Sequence, residues 1–161
     1  MAKIFSITGW SGSGKTTLIT RLIKQLKAAN KRIIAVKSAP HKYYLEPEST
    51  DTFKFLEAGS DMVFLAAKNE LLSMTRIDDT RDVFALLESH QRNCDFLLLE
   101  GLRKNNIPMI EVFDSTKNKA LKFPLEQLTA VVSDKPVTDE IPNFNIDKIE
   151  DITKFMEDYN G

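Results

Sequence analysis

Residues 9 to 17 read Gly-Trp-Ser-Gly-Ser-Gly-Lys-Thr-Thr. Before them stands a short apolar run, Lys3–Thr8, and after them Leu18, Leu22 and Leu26 recur every four residues with Ile19 and Ile23 alongside. The run predicts a buried strand ending at Gly9. The stripe predicts one face of a helix ending near Asn30, with Lys24 and Lys27 outside the stripe. Gly9-x-x-x-x-Gly14-Lys15-Thr16 has the Walker A spacing, and a strand before it with a helix after it is the setting that gives the spacing meaning. Glycines let the backbone bend so that successive N–H groups converge on phosphate oxygens. The following helix directs its positive end at the same anion. The pattern assigns Lys15 to the β- and γ-phosphates of a nucleotide and the Thr16 hydroxyl to Mg²⁺. Ser11, Gly12, Ser13 and Thr17 line the same loop.

A phosphate loop of this kind needs an acidic residue near the metal, at the end of a neighbouring strand. Asp95-Phe-Leu-Leu-Leu-Glu100-Gly101 offers one, because a continuous apolar run reads as a strand buried on both faces of a parallel sheet. Ligands of such sheets sit at the carboxyl ends of the strands, which favours Glu100 over Asp95. Gly101 would then let the backbone approach the γ-phosphate. Asp51 is a second candidate for the metal shell or for orienting water, with a helix cap as its other reading. Lys37 and His41 flank Pro40 and suit either phosphate and substrate contact or a solvated loop; Arg103 and Lys104 pose the same choice. His90 reads as structural, and Cys94, just before the apolar strand, as an inert, partly buried thiol. An aromatic such as Trp10 at a phosphate turn suits packing against a partner subunit.

The remaining chain alternates strands and helices. Arg32–Val36 reads as a second strand and residues 38–50 as a long loop. Asp51 opens a short helix through Ala58 that Gly59 stops. Val63–Ala67 and Leu71–Thr75 read as a hairpin, and Asp79–Gln91 as a helix. Met109–Phe113 and Leu128–Ser133 are further strands. Asp147–Tyr159 is a closing helix with Asp147 and Glu150 at capping-box spacing. The expected fold is α/β: a three-layer P-loop nucleotide-binding fold with a mostly parallel twisted sheet, helices on both faces, and a β-hairpin extension near 63–75. Residues 1–161 are expected to form a single domain.

Totals narrow the partners. The 22 Lys and Arg nearly cancel the 23 Asp and Glu, which argues against a protein that coats nucleic acid or an anionic membrane. A lone cysteine forms neither an intrachain disulfide nor a zinc cluster. Apolar runs such as Met62–Ala67 fall far short of the roughly 18 residues a membrane helix needs, so a cytoplasmic protein is expected.

In order, these segments resemble the molybdopterin-guanine dinucleotide biosynthesis accessory protein B family, GTP-binding proteins of molybdenum cofactor maturation. The likeness runs through Ile7–Leu18, Val36-Lys37 with His41, Asp51-Thr52, Glu57-Ala58-Gly59, Asp95 to Glu100-Gly101, Ile107-Pro108 with Ile110-Glu111-Val112, and Ala130–Asp134. The chain departs from the family pattern at Ser38, Lys42, Ser49 and Thr52, all in or beside the long loop. The resemblance implies GTP and Mg²⁺ as ligands, weak GTPase activity and a homodimer. It also implies a role beside the guanylyltransferase that joins GMP to molybdopterin. Asp134, after the last apolar strand, would accept the N1 and N2 hydrogens of guanine.

Two other functions fit a phosphate loop on a chain of this size. A small-molecule kinase using ATP would close an arginine-bearing lid over the transferred phosphoryl group. The six arginines here, at 21, 32, 76, 81, 92 and 103, form no close pair. A nucleotide-switched adaptor without useful catalysis fits the sequence nearly as well as a hydrolase does.

Overall fold

The structure, a computed structural model, describes residues 2–39, 50–77 and 80–160. The chain divides into two compact units, residues 1–38 with 90–161 and residues 39–89.

The first unit is built on a six-stranded sheet. Its strands are β1 (Lys3–Thr8), β2 (Ile33–Lys37), β5 (Phe96–Glu100), β6 (Met109–Phe113), β7 (Ala130–Ser133) and β8 (Asn143–Asn145). They lie in the order β2-β5-β1-β6-β7-β8, every neighbouring pair parallel. The register sets Ile7 beside Glu100 and Thr8 beside Glu111, so β1 delivers the glycine-rich loop between the carboxyl ends of β5 and β6. β5 is wholly apolar until Glu100 because it is central and covered on both faces.

Helices α1 (Lys15–Ala28) and α4 (Ile149–Asp158) bury one face of that sheet. Leu18, Leu22 and Leu26 of α1 and Ile152 and Met156 of α4 join Phe5, Ile7, Leu98, Ile110 and Val132 in one core. Over β6 and β7 the opposite face is covered by Leu121, Phe123, Leu125 and Leu128, carried by the β6–β7 connection and its 3-10 turn, Leu125–Gln127. α1 ends as expected: Asn30 takes the left-handed conformation, φ 58°, and the Lys31 amide donates to the Leu26 carbonyl at 3.0 Å, a Schellman closure.

α4 starts later than the sequence suggests. Asp147 and Glu150 form no capping box. Lys148 occupies the cap position without a side-chain bond, and Asp147 instead meets Arg21 of α1 at 3.4 Å. Arg21 also donates to the Ile146 carbonyl at 2.7 Å, which pins the β8–α4 corner onto α1. At the far end Lys3 donates to the Glu157 and Tyr159 carbonyls, closing the α4 C-terminus with a cation where the helix dipole favours one.

The second unit holds α2 (Asp51–Glu57), the antiparallel hairpin β3 (Met62–Ala66) and β4 (Leu71–Thr75), and most of α3 (Thr80–Gln91). The cap of α2 is Thr50, whose hydroxyl accepts the Phe53 amide at 3.3 Å; Asp51 falls in the first turn instead. Residues 40–49, the body of the long loop, and the Asp79 start of the third helix lie outside the described residues.

Candidate functional site

The loop from Gly9 to Gly14 is held open by glycine geometry. Gly14 caps α1 in the left-handed region, φ 97°. No side chain caps that helix end and no acidic residue stands in its first turn, so the amides at the start of α1 face the loop without an internal anion. The Ser13 hydroxyl is buried, with 3% of the residue exposed. Among the described residues it is the one buried side-chain polar atom lacking a hydrogen-bond partner. A buried hydroxyl without a partner in a glycine-rich loop is a group that a bound phosphate oxygen would satisfy.

Lys15 extends back over the loop and donates to the carbonyls of Trp10 at 2.6 Å and Gly9 at 3.3 Å. Burial holds its ammonium below the ordinary lysine value. Glu100 opposes that shift, and the neighbouring cations Lys122 and Lys37 reinforce it.

Thr16, one residue on, donates its hydroxyl to both carboxylate oxygens of Glu100, at 2.9 and 3.0 Å. Lys37, at the end of β2, donates to the same carboxylate at 3.3 Å. Glu100 is well shielded, its side chain 14% exposed. Two strand ends and one helix start thus gather Lys15, Thr16, Glu100 and Lys37. Gly101 follows Glu100 with φ 76°, and its amide donates to the Ile7 carbonyl at 3.2 Å.

Mg²⁺ typically takes one or two carboxylates together with substrate phosphates and water. A lone carboxylate with an adjacent hydroxyl fits that donor set. Among the described residues, no cluster of three or more His, Cys, Asp or Glu is gathered as a metal site on its own.

The other anticipated residues are placed less centrally. Asp134 follows β7, and both its carboxylate oxygens accept from Ser115, the amide at 2.9 Å and the hydroxyl at 2.6 Å. Those bonds hold its carboxyl below the ordinary aspartate value. Asp51 belongs to the second unit and pairs with Lys54 at 3.0 Å. His41 lies outside the described residues. Asp95 stands before β5, at the opposite end of the strand from Glu100, and accepts the Arg32 amide at 2.7 Å. Cys94 beside it is buried, which pushes its thiol up. Arg103 stacks on Phe123, 4.6 Å from the ring centroid.

Three residues escape the sequence reading. Glu111 of β6 is completely buried, and its two oxygens accept the amides of Lys122 at 2.6 Å and Phe123 at 3.1 Å. Burial pushes its carboxyl up, against the lowering by those two amides. A charged residue inside the otherwise apolar Met-Ile-Glu-Val-Phe was a visible signal, since unpaired carboxylates are almost never fully buried. Lys117 donates to the Gly12 carbonyl at 3.2 Å, and Lys122 stands 5.6 Å from the Trp10 ring centroid. Nothing in the pattern marked these lysines.

Comparison with known proteins identifies the family and supports the fold. A family described as molybdopterin guanine dinucleotide synthesis protein B matches residues 4–134. A molybdopterin-guanine dinucleotide biosynthesis adapter protein of Haemophilus influenzae is 31% identical over 157 residues, 97% of this chain and 88% of that one. Its Escherichia coli counterpart is 24% identical over 164 residues, covering 99% and 94%. A crystal structure of a molybdopterin-guanine biosynthesis protein B, 29% identical, superposes with a TM-score of 0.73 over 96% of this chain and 97% of that one. Bacillus subtilis MobB, 22% identical, shares the fold at 0.72 over 99% of both. With the family matched from the first strand to Asp134, the chain belongs to the molybdopterin guanine dinucleotide synthesis protein B family.

Proposed function

We propose that the protein binds GTP with Mg²⁺ at its phosphate loop and serves the guanylyltransferase step that joins GMP to molybdopterin. The convergence of Thr16 and Lys37 on Glu100, beside Lys15, carries this reading. Lys15 would leave the Gly9 and Trp10 carbonyls for the phosphates, and Ser11, Ser13 and Thr17 with the loop amides would hold the remaining oxygens. Bound Mg²⁺ would neutralise phosphate charge, held by the Thr16 hydroxyl and Glu100. Gly101 would bring the backbone toward the γ-phosphate. Lys37 and His41 would balance the charge. Asp51 is proposed for the metal shell or the attacking water, and Asp134 for the guanine edge. Relatives named adapter proteins favour binding over turnover as the output, so hydrolysis is expected to be slow. A homodimer in the cytoplasm completes the proposal.

Calorimetric titration with GTP, ATP and GDP, each with Mg²⁺, and a phosphate-release assay test it. GTP should bind well and ATP weakly, with slow release. Lys15→Ala should weaken GTP by more than about tenfold, since a charge-assisted contact is lost. Glu100→Gln should make the residual affinity insensitive to Mg²⁺, and Asp134→Ala should narrow the gap between GTP and ATP. A preference for ATP with rapid turnover on small acceptors would sink the proposal in favour of a kinase.

A further inference from the structure

The segment joining β6 to β7 lies against the phosphate loop through several independent contacts. Trp10 donates its indole N–H to the Ala120 carbonyl at 3.0 Å, and Lys117 donates to the Gly12 carbonyl at 3.2 Å. Asp114 anchors the start of the segment through Lys117 at 2.7 Å. At its other end the two oxygens of buried Glu111 take the amides of Lys122 and Phe123. Glu111 is therefore a floor post, with the amides of residues 122 and 123 fastened to β6, which β1 separates from the strand of Glu100.

This fastening has an electrostatic result. Lys122 has no ion pair among the described residues; its ammonium rests 5.6 Å from the centroids of both Trp10 and Phe123. It is close enough to Lys15 to repel it, as Lys37 does from the opposite side. Three cations, Lys15, Lys37 and Lys122, stand around the loop against two shielded carboxylates, Glu100 and the buried Glu111, an excess of positive charge that an incoming polyanion relieves.

We propose that Glu111 is a positioning residue whose buried carboxylate fixes the 117–123 segment so that the Lys122 ammonium meets the polyphosphate of the bound nucleotide. The inference rests on the phosphate-loop reading above and adds a cation from outside the motif. It also supplies, with lysine, the charge that scattered arginines do not.

The protein carries one tryptophan, Trp10, so its emission reports this segment directly. The full chain and the variants Lys122→Ala, Lys122→Arg, Glu111→Gln, the double variant and Lys15→Ala are titrated with Mg-GTP over a range of salt, and Trp10 quenching by acrylamide is followed. Lys122→Ala should weaken GTP about tenfold and flatten the salt dependence, because one phosphate-facing charge is gone. Lys122→Arg should restore binding to within about threefold, since the charge returns. Glu111→Gln leaves one acceptor for two amides; it should weaken GTP to a similar degree and make Trp10 more quenchable. Glu111→Gln with Lys122→Ala should bind no worse than Lys122→Ala alone, since both act through one ammonium. Additive losses, or binding unchanged by Lys122→Ala while Lys15→Ala abolishes it, overturn the inference and leave the phosphate loop standing. Binding unchanged by Lys15→Ala overturns the phosphate-loop reading itself. Should Glu111→Gln not fold, the Lys122→Ala and Lys122→Arg pair decides.

Discussion

A β-carbon at Gly9 would lie 2.3 Å from the Val112 carbonyl oxygen and 2.9 Å from the Ser13 hydroxyl, on a backbone with φ 133°. The phosphate loop thus rests directly on the backbone of β6, and only hydrogen fits between them. Gly12 makes a useful contrast: it also has a positive φ, 74°, but nothing lies within 4 Å of the added carbon. Gly12→Ala should cost about 1 kcal/mol, the penalty of the left-handed conformation alone. Gly9→Ala should cost more than about 2 kcal/mol, because backbone overlap is added to that penalty. Urea unfolding of the two variants measures the difference. Equal midpoints would mean that β6 does not abut the loop.

At the scale of the element, the start of the β6–β7 segment carries its own pH signature. Thr116 and Lys117 bond the Asp114 carboxylate, Lys117 foremost, and hold its pKa down to about 2 from 3.8. A carboxyl lowered on folding stabilises the native state above its unfolded value and loses that contribution as pH falls toward the folded one. Wild type should therefore exceed Asp114→Asn in stability at pH 5, and the gap should close between about pH 4 and pH 2. Guanidinium unfolding across that range checks it, and a gap that persists at pH 2 counts against the ionic hold. Why this segment was illegible in the sequence is a matter of its bonds. β1 and β6 matched residue for residue because apolar runs bounded by Gly9, Pro108 and Asp114 leave little freedom. Glu100 could be chosen over Asp95 because parallel sheets bind ligands at one edge. β8 is three residues, Asn-Phe-Asn, kept in the sheet by pairing with β7 and by Asn143 donating to the Ser133 hydroxyl at 2.9 Å, a long-range bond without a local pattern. The Asp147–Glu150 spacing misled for the same reason, since Arg21, 126 residues away, claims Asp147. Lys122 became relevant only because a strand residue eleven positions earlier grips its amide.

For the molecule as a whole, the hairpin of the second unit bears on assembly. A two-stranded sheet is marginal in water by itself, and this one carries Phe64 at 57%, Leu71 at 66%, Leu65 at 45% and Met62 at 40% exposure. Phe64 and Met62 lie on one face of β3, beside Ser73 and Thr75 of β4, and Leu71 pairs with Ala66 on that same face. Among the described residues both outer edges of the hairpin lack a partner strand. Edges of this kind pair readily, and a second copy presents the same edge and the same apolar face. Under the proposed homodimer, Phe64→Asp should shift the protein toward monomer in light scattering at micromolar concentration. GTP affinity per chain should remain, because the phosphate loop, Glu100 and Lys37 belong to the other unit and the two site residues proposed from this unit, Asp51 and His41, lie outside the hairpin strands. A variant that stays dimeric would place the interface elsewhere. One that becomes monomeric and also loses GTP would mean that the nucleotide site needs the second copy.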